Sequence, residues 1–110
     1  MYADLHIHTN FSDGTFNPLE VILLARKAGI GCISITDHDT VKAYLSAYPS
    51  FGIELISGIE LSADVDNSEV HILGYCVETQ ERRFQDKLAE LCENRIRRMD
   101  QMCRKLSGLG

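Results

Sequence analysis

Hydrophobic and polar positions change their period several times along this chain, and the changes predict alternating strands and helices. Tyr2 to Ile7 alternates and leads into His6-Ile7-His8, the pattern of a short strand. Asn17-Pro18-Leu19-Glu20 predicts a helix start: Asn17 can cap, Pro18 suits the first helical position and Glu20 completes a capping box. The apolar set Leu19, Ile22, Leu23 and Ala25 carries that helix to Ala28, where Gly29 stops it. Ile30 to Thr36 is an apolar, β-branched run and reads as a buried strand. Asp39 or Thr40 can cap a brief helix from Val41 to Tyr48, closed by Pro49. Ile53 to Ile59, running on toward Leu61, is a third strand, and Glu69 to Val77 a fourth.

The last segment has a different period. Thr79 to Leu106 lacks Gly and Pro, and its apolar residues fall at Phe84, Leu88, Cys92, Ile96, Met99, Cys103 and Leu106. Spacings of three and four predict one long amphipathic helix with a narrow stripe that needs a cover. Ser107-Gly108-Leu109-Gly110 follows it.

Strands alternating with helices across short links argue for an α/β fold with a mainly parallel sheet. In such folds, reactive side chains gather at the carboxyl ends of strands. A length of 110 residues allows one small domain, and 45% hydrophobic with 25% charged residues is ordinary globular usage. That excludes a disordered tail or a collagen-like fibre. No apolar run approaches the roughly 18 residues of a membrane span, and the start lacks the pattern of a signal peptide. Cys32, Cys76, Cys92 and Cys103 form no Cys-x-x-Cys pair. They read as reduced thiols of a cytoplasmic protein that pack rather than react.

Charge is unevenly placed within a net −5. Residues 1–80 hold 3 basic and 11 acidic side chains, whereas residues 81–110 hold 8 basic and 5 acidic. An acidic front half does not resemble a general nucleic-acid surface. It suits either a site that collects cations or a plain acidic exterior, and charge alone does not separate the two.

The 4 histidines change the picture. His6 and His8 are spaced so that both rings leave one side of a strand. Asp13 follows in Ser12-Asp13-Gly14, His38 sits in Thr36-Asp37-His38-Asp39, Glu60 follows Gly58-Ile59, and His71 opens His71-Ile72-Leu73-Gly74-Tyr75. Each has an ordinary reading alone. His-x-His recurs by chance, and Asp37-His38-Asp39 can be a capped loop. Glu60 can point to solvent at a strand end, and His71 can be a hydrogen-bonded strand residue. Together they place imidazoles and carboxylates at successive strand ends, a donor set suited to zinc, manganese or iron and to hydrolysis at phosphorus. There is no phosphate-binding Gly-x-x-x-x-Gly-Lys loop, no Gly-x-Gly-x-x-Gly fingerprint and no Gly-x-Ser-x-Gly elbow.

These motifs resemble the PHP (polymerase and histidinol phosphatase) family. Asp4-Leu5-His6-Ile7-His8-Thr9 with Ser12-Asp13-Gly14 looks like its first motif, and Thr36-Asp37-His38-Asp39 like its second. Gly58-Ile59-Glu60 and His71-Ile72-Leu73-Gly74-Tyr75 look like the stretches that follow. The resemblance implies the amino-terminal part of a distorted (β/α)7 barrel, with residues 1–77 carrying the metal-site half and residues 78–107 starting an inserted helical region. It implies up to three divalent metals (manganese, zinc or iron). His6 and His8 would share one with Glu60, Glu60 would bridge to a second that takes His71, and Asp13 with His38 would hold a third. Asp4, Asp37 and Asp39 would orient the histidines. No catalytic residue beyond these ligands is implied.

The stand-alone phosphoesterase branch is the nearest resemblance, which implies hydrolysis of nucleotide or short oligonucleotide phosphates by a metal-activated water. The family's later motifs have no counterpart after His71. The expectation is a truncated or fragmentary chain with impaired activity, stabilised by self-association through the long helix or by exchanged barrel parts. A non-catalytic metal-binding or oligomerisation module, and a histidinol-phosphate phosphatase-like activity, stay open beside it.

Overall fold

The computed structural model describes residues 1–109. Its elements are β1 (Tyr2–Ile7), α1 (Pro18–Lys27), β2 (Ile30–Ile35), a 3-10 turn (Lys42–Tyr44), β3 (Glu54–Leu55), β4 (Gly58–Val65), β5 (Ser68–Tyr75) and α2 (Arg82–Leu109). The start of α1 forms as its sequence dictates. Asn17 Oδ1 accepts from Glu20 N at 2.9 Å, and Glu20 Oε2 accepts from Asn17 N at 2.8 Å. Those two bonds answer backbone donors that a helix start leaves open.

β1, β2 and β3 form a parallel sheet in that order. The register of β1 against β2 slips between Asp4 and Ile7, where β1 gains one residue on its partner. Such a bulge re-aims the side chains within and just beyond it, here His6 and His8. Val21, Ile22 and Ala25 of α1 pack on Ile33 and Ile35 of β2, with Ala43 and Ile53 closing this core. Leu19, Leu23 and Leu24 lie exposed instead, so the buried face of α1 is turned from the one its periodicity predicts.

β4 and β5 depart from the expected parallel order. They form an antiparallel hairpin, from Gly58↔Tyr75 to Val65↔Ser68. Asp66 and Asn67 make its turn with positive φ of 49° and 64°. Two consecutive left-handed residues are the chemistry of a tight hairpin, which Asp and Asn tolerate. The expected brief helix after Asp39 is reduced to the 3-10 turn. The third strand is broken after Leu55 and resumes at Gly58.

That break is held by Tyr44. Its hydroxyl accepts from Ile35 N at 2.9 Å and Gly58 N at 3.1 Å, and the carbonyls of Ile35 and Ile56 lie at 2.7 and 2.9 Å to receive its proton. One phenol thereby joins β2 to the entry of β4, and burial pushes its pKa up. Gly58 fits tightly here, since a Cβ on it would sit 2.2 Å from Ser34 Oγ.

A second, smaller core joins Val41, Ile59 and Leu88 of α2, with Phe84, Leu61 and Val77 beside it. Beyond Leu88 the helix stripe is bare: Ile96, Met99 and Leu106 are each more than half exposed. Among the described residues no helix is long and apolar enough to cross a membrane.

Tyr44→Phe strands two backbone N–H groups at the junction. The expected loss is about 1–3 kcal/mol for each donor left without a partner, read from urea unfolding. An unchanged midpoint would show that water replaces the hydroxyl.

Candidate metal centre

The first loop brings two ligand candidates to one place. Thr9 O accepts from Ser12 N at 3.1 Å and from Gly14 N at 2.9 Å, folding residues 9–14 into a tight turn. A Cβ at Gly14 would lie 2.3 Å from the His8 carbonyl oxygen, so the turn admits only glycine there. Asp13 is thereby carried back over the strand end. Its two carboxylate oxygens stand 3.5 Å from His8 Nδ1 and 3.4 Å from His38 Nε2.

The second loop is tied to both sides. Asp37 is buried, and its carboxylate accepts from Thr9 N and Thr9 Oγ1, each at 2.6 Å, and from Ser12 Oγ at 2.8 Å. Glu60 N donates to Asp37 O at 3.1 Å and Asp39 N donates to Glu60 O at 2.9 Å, so His38 and Glu60 face each other across a parallel bridge. Asp39 takes a positive φ of 53° to do this. Its carboxylate accepts from Ser62 N at 3.3 Å and pairs with Arg95 of α2 at 2.5 Å.

At the centre stands Glu60, only 4% exposed. His6 Nε2 lies 3.0 Å and His8 Nε2 2.9 Å from its Oε2, His38 Nδ1 3.7 Å from the same oxygen, and His71 Nδ1 2.8 Å from Oε1. Imidazoles, more than protein depth, cover this carboxylate. Burial pushes its pKa up, but hydrogen bonds from His6 and His71 and the charge of His38 outweigh that, and the net shift is downward. The His71 pKa is raised, chiefly by its hydrogen bond to Glu60, with desolvation opposing and Glu69 assisting.

Donor atoms converge in three overlapping groups: His6–His8–Glu60, His8–Asp13–His38 and His38–Glu60–His71, each within 4.8 Å. All six candidates from the sequence therefore meet. The grouping differs in detail from the expectation: His8 also joins Asp13 and His38, and His38 also joins Glu60 and His71. A divalent cation fits this donor set. His8 Nδ1 and His38 Nδ1 are buried without a hydrogen-bond partner among the described residues, a costly state that a coordinated ion would relieve.

Asp4, Asp37 and Asp39, expected to orient the histidines, have hydrogen-bond partners other than the rings. Among the described residues none of their hydrogen bonds reaches an imidazole ring. Asp4 Oδ1 accepts from His6 N at 3.2 Å, and the other two hold loops together. Asp37 is taken up by Thr9 N and by two hydroxyls, and Asp39 by Ser62 N and Arg95. The expectation also passed over Arg95 and Arg98. Both line a cleft of about 690 Å³ beside Asp13, His38 and His71, and Arg98 pairs with Asp64 at 3.2 Å. Their i, i+3 spacing on a basic helix was the available signal.

Comparison with known proteins identifies the family. The PHP domain profile matches residues 4–107. The chain belongs to the PHP domain family. The 5'-3' exoribonuclease Rnm of Escherichia coli is 32% identical over 108 residues, 94% of this chain and 37% of that protein. The 3',5'-nucleoside bisphosphate phosphatase of Chromobacterium violaceum is 32% identical over 110 residues, 97% of this chain and 39% of that protein. A Bifidobacterium adolescentis structure assigned as a metal-dependent phosphoesterase superposes with a TM-score of 0.82 and 32% identity, covering 97% of this chain and 38% of that one. This PHP chain thus spans about two-fifths of the length of the relatives it matches.

Asp37→Ala would strip three donors of their buried acceptor. The expected result is a loss of about 1–3 kcal/mol for each donor left without a partner, measured by thermal unfolding. Metal uptake should weaken with it, because the loop carrying Asp13 is released. Full metal uptake in a folded Asp37→Ala protein would show that the loop holds itself.

Proposed function

We propose that this chain carries the amino-terminal part of a PHP phosphoesterase centre. Its metal ligands are His6, His8, Asp13, His38, Glu60 and His71, and its substrates are nucleotide or short oligonucleotide phosphates. The observation that supports this best is the convergence of imidazoles from separate stretches of chain on the single buried carboxylate of Glu60. The relatives named above act on phosphate esters by name, and they support the same reaction class.

On this reading Glu60 would help to hold two cations, one with His6 and His8 and one with His38 and His71. Asp13 would help to hold a third with His8 and His38. Bound divalent cations of the manganese, zinc or iron kind supply Lewis acidity toward phosphate oxygens and an acidic water at neutral pH. The chain's own residues hold the ligands in place. Asp37 clamps the first loop, Asp39 clamps the second to β4, and Arg95 ties α2 across that clamp. No covalent enzyme intermediate is needed, and no side chain other than the ligands has to react.

The same reading makes residues 1–77 the metal-site half of a (β/α)7 barrel and residues 78–107 the start of a helical insertion. Its four cysteines are free thiols, in keeping with a cytoplasmic setting. The bare stripe of α2 favours self-association of the chain.

Metal-replete protein should bind manganese or zinc, and a chelator should remove it. Glu60→Ala should lose at least tenfold in metal affinity, since it serves two groups, read by calorimetric titration. Manganese-dependent phosphate release from a nucleoside bisphosphate should fall with it. Wild-type protein that takes up no metal would overturn the proposal, and bound metal without turnover would leave a binding module. Sedimentation should show a dimer that Ile96→Asp dissociates; a monomer at all concentrations would rule out the helix contact.

A further inference from the structure

Glu69 belongs to none of the three donor groups, yet it touches one of their members. Its Oε1 stands 3.3 Å from His71 Nε2, while the other ring nitrogen of His71 points at Glu60 Oε1 from 2.8 Å. The imidazole thus spans two carboxylates, one buried among the ligand candidates and one on the rim. The strand register explains the geometry. Glu69 and His71 lie two apart on β5 and so share a face of the hairpin, opposite Asp64 and Ser62 of β4. Placing Asp64 directly across from Glu69 sets two acids together, an arrangement that costs stability unless cations answer it. Arg98 answers Asp64 at 3.2 Å, and the near partner of Glu69 is the His71 ring.

We propose that Glu69 is a positioning residue for the metal centre: when a cation takes the place of the Nδ1 proton that His71 gives to Glu60, Glu69 accepts the remaining Nε2 proton and holds the ring with its Nδ1 lone pair toward that cation. A neutral imidazole carries one proton on one of its two nitrogens, and a metal needs the other bare. An acceptor on the far nitrogen fixes both the tautomer and the ring plane. The inference rests on the metal-centre reading above.

The test compares wild type, Glu69→Ala, Glu69→Gln and Glu54→Gln, the last removing one acid from β3, outside the three donor groups. Zinc titration should show affinity falling about 10–100-fold in Glu69→Ala, with much of it restored in Glu69→Gln, which keeps an acceptor oxygen. Glu54→Gln should bind like wild type. In zinc-loaded wild type, ring nitrogen NMR should place the His71 proton on Nε2 with slow exchange, and Glu69→Ala should lose that protection. Equal affinity in Glu69→Ala, an equal loss in Glu54→Gln, or a His71 proton on Nδ1 would each overturn the proposal. Wild type that binds no zinc would instead bring down the metal centre itself, and Glu69's role with it.

Discussion

A carboxylate taken out of water is unstable unless positive charge or hydrogen-bond donors replace the solvent it lost. Glu60 is such a carboxylate, and the arrangement of this chain follows from how it is satisfied. Its backbone N–H and C=O are both paired with the segment Asp37–Asp39, and its side chain is ringed by imidazoles from β1, the second loop and β5. If β4 shifted by one residue, the pleat would turn Glu60 to the opposite face and remove the centre of the cluster. The hairpin register and the bridge to His38 are therefore constraints on chemistry as well as on fold.

The supports of the site are built from short polar side chains rather than from hydrophobic bulk. Asp37 holds Thr9 and Ser12, Asp39 holds Ser62 and Arg95, and Tyr44 bonds backbone groups of β2 and β4. Each answers donors that irregular backbone leaves open at the ends of strands, where ladder hydrogen bonds run out. The apolar cores lie to the sides of this polar layer, one beneath α1 and one beneath the start of α2. That division lets the strand ends remain open to a cleft while the sheet below stays packed. The antiparallel hairpin adds something a purely parallel sheet would not: it sets His71 opposite Ser62 and brings Glu69 to the rim.

Much of this was legible along the chain, and the reason is local. The capping box at Asn17, the stop at Gly29 and the long period of α2 each depend on residues within one or two turns of each other. The spacing of His6 and His8 on one strand, and the acid-flanked His38, are equally local signals. Membership of the six ligand candidates in one site was readable because motifs in order along a chain imply a known spatial closure. Which nitrogen meets which oxygen, and that His8 and His38 each serve two groups, depends on ring rotations set by neighbours far away in sequence.

Other features had no local cause to read. Leu19 and Leu23 carry the right period for burial but lie exposed, because the face of a helix that is covered depends on which strand it meets. The direction of β5 turned on two residues, Asp66 and Asn67, whose positive φ values make the chain reverse at once instead of crossing over. Asp4, Asp37 and Asp39 sat beside histidines in sequence, but folding offered them other donors: backbone N–H groups, hydroxyls and Arg95. Arg95 and Arg98 became neighbours of the site only when α2 crossed the hairpin. Periodicity and motif chemistry come from contacts a few residues apart, so the chain states them directly. Strand direction, the covered face of a helix and the partner of each charged group are settled by distant segments competing for the same space and the same hydrogen bonds.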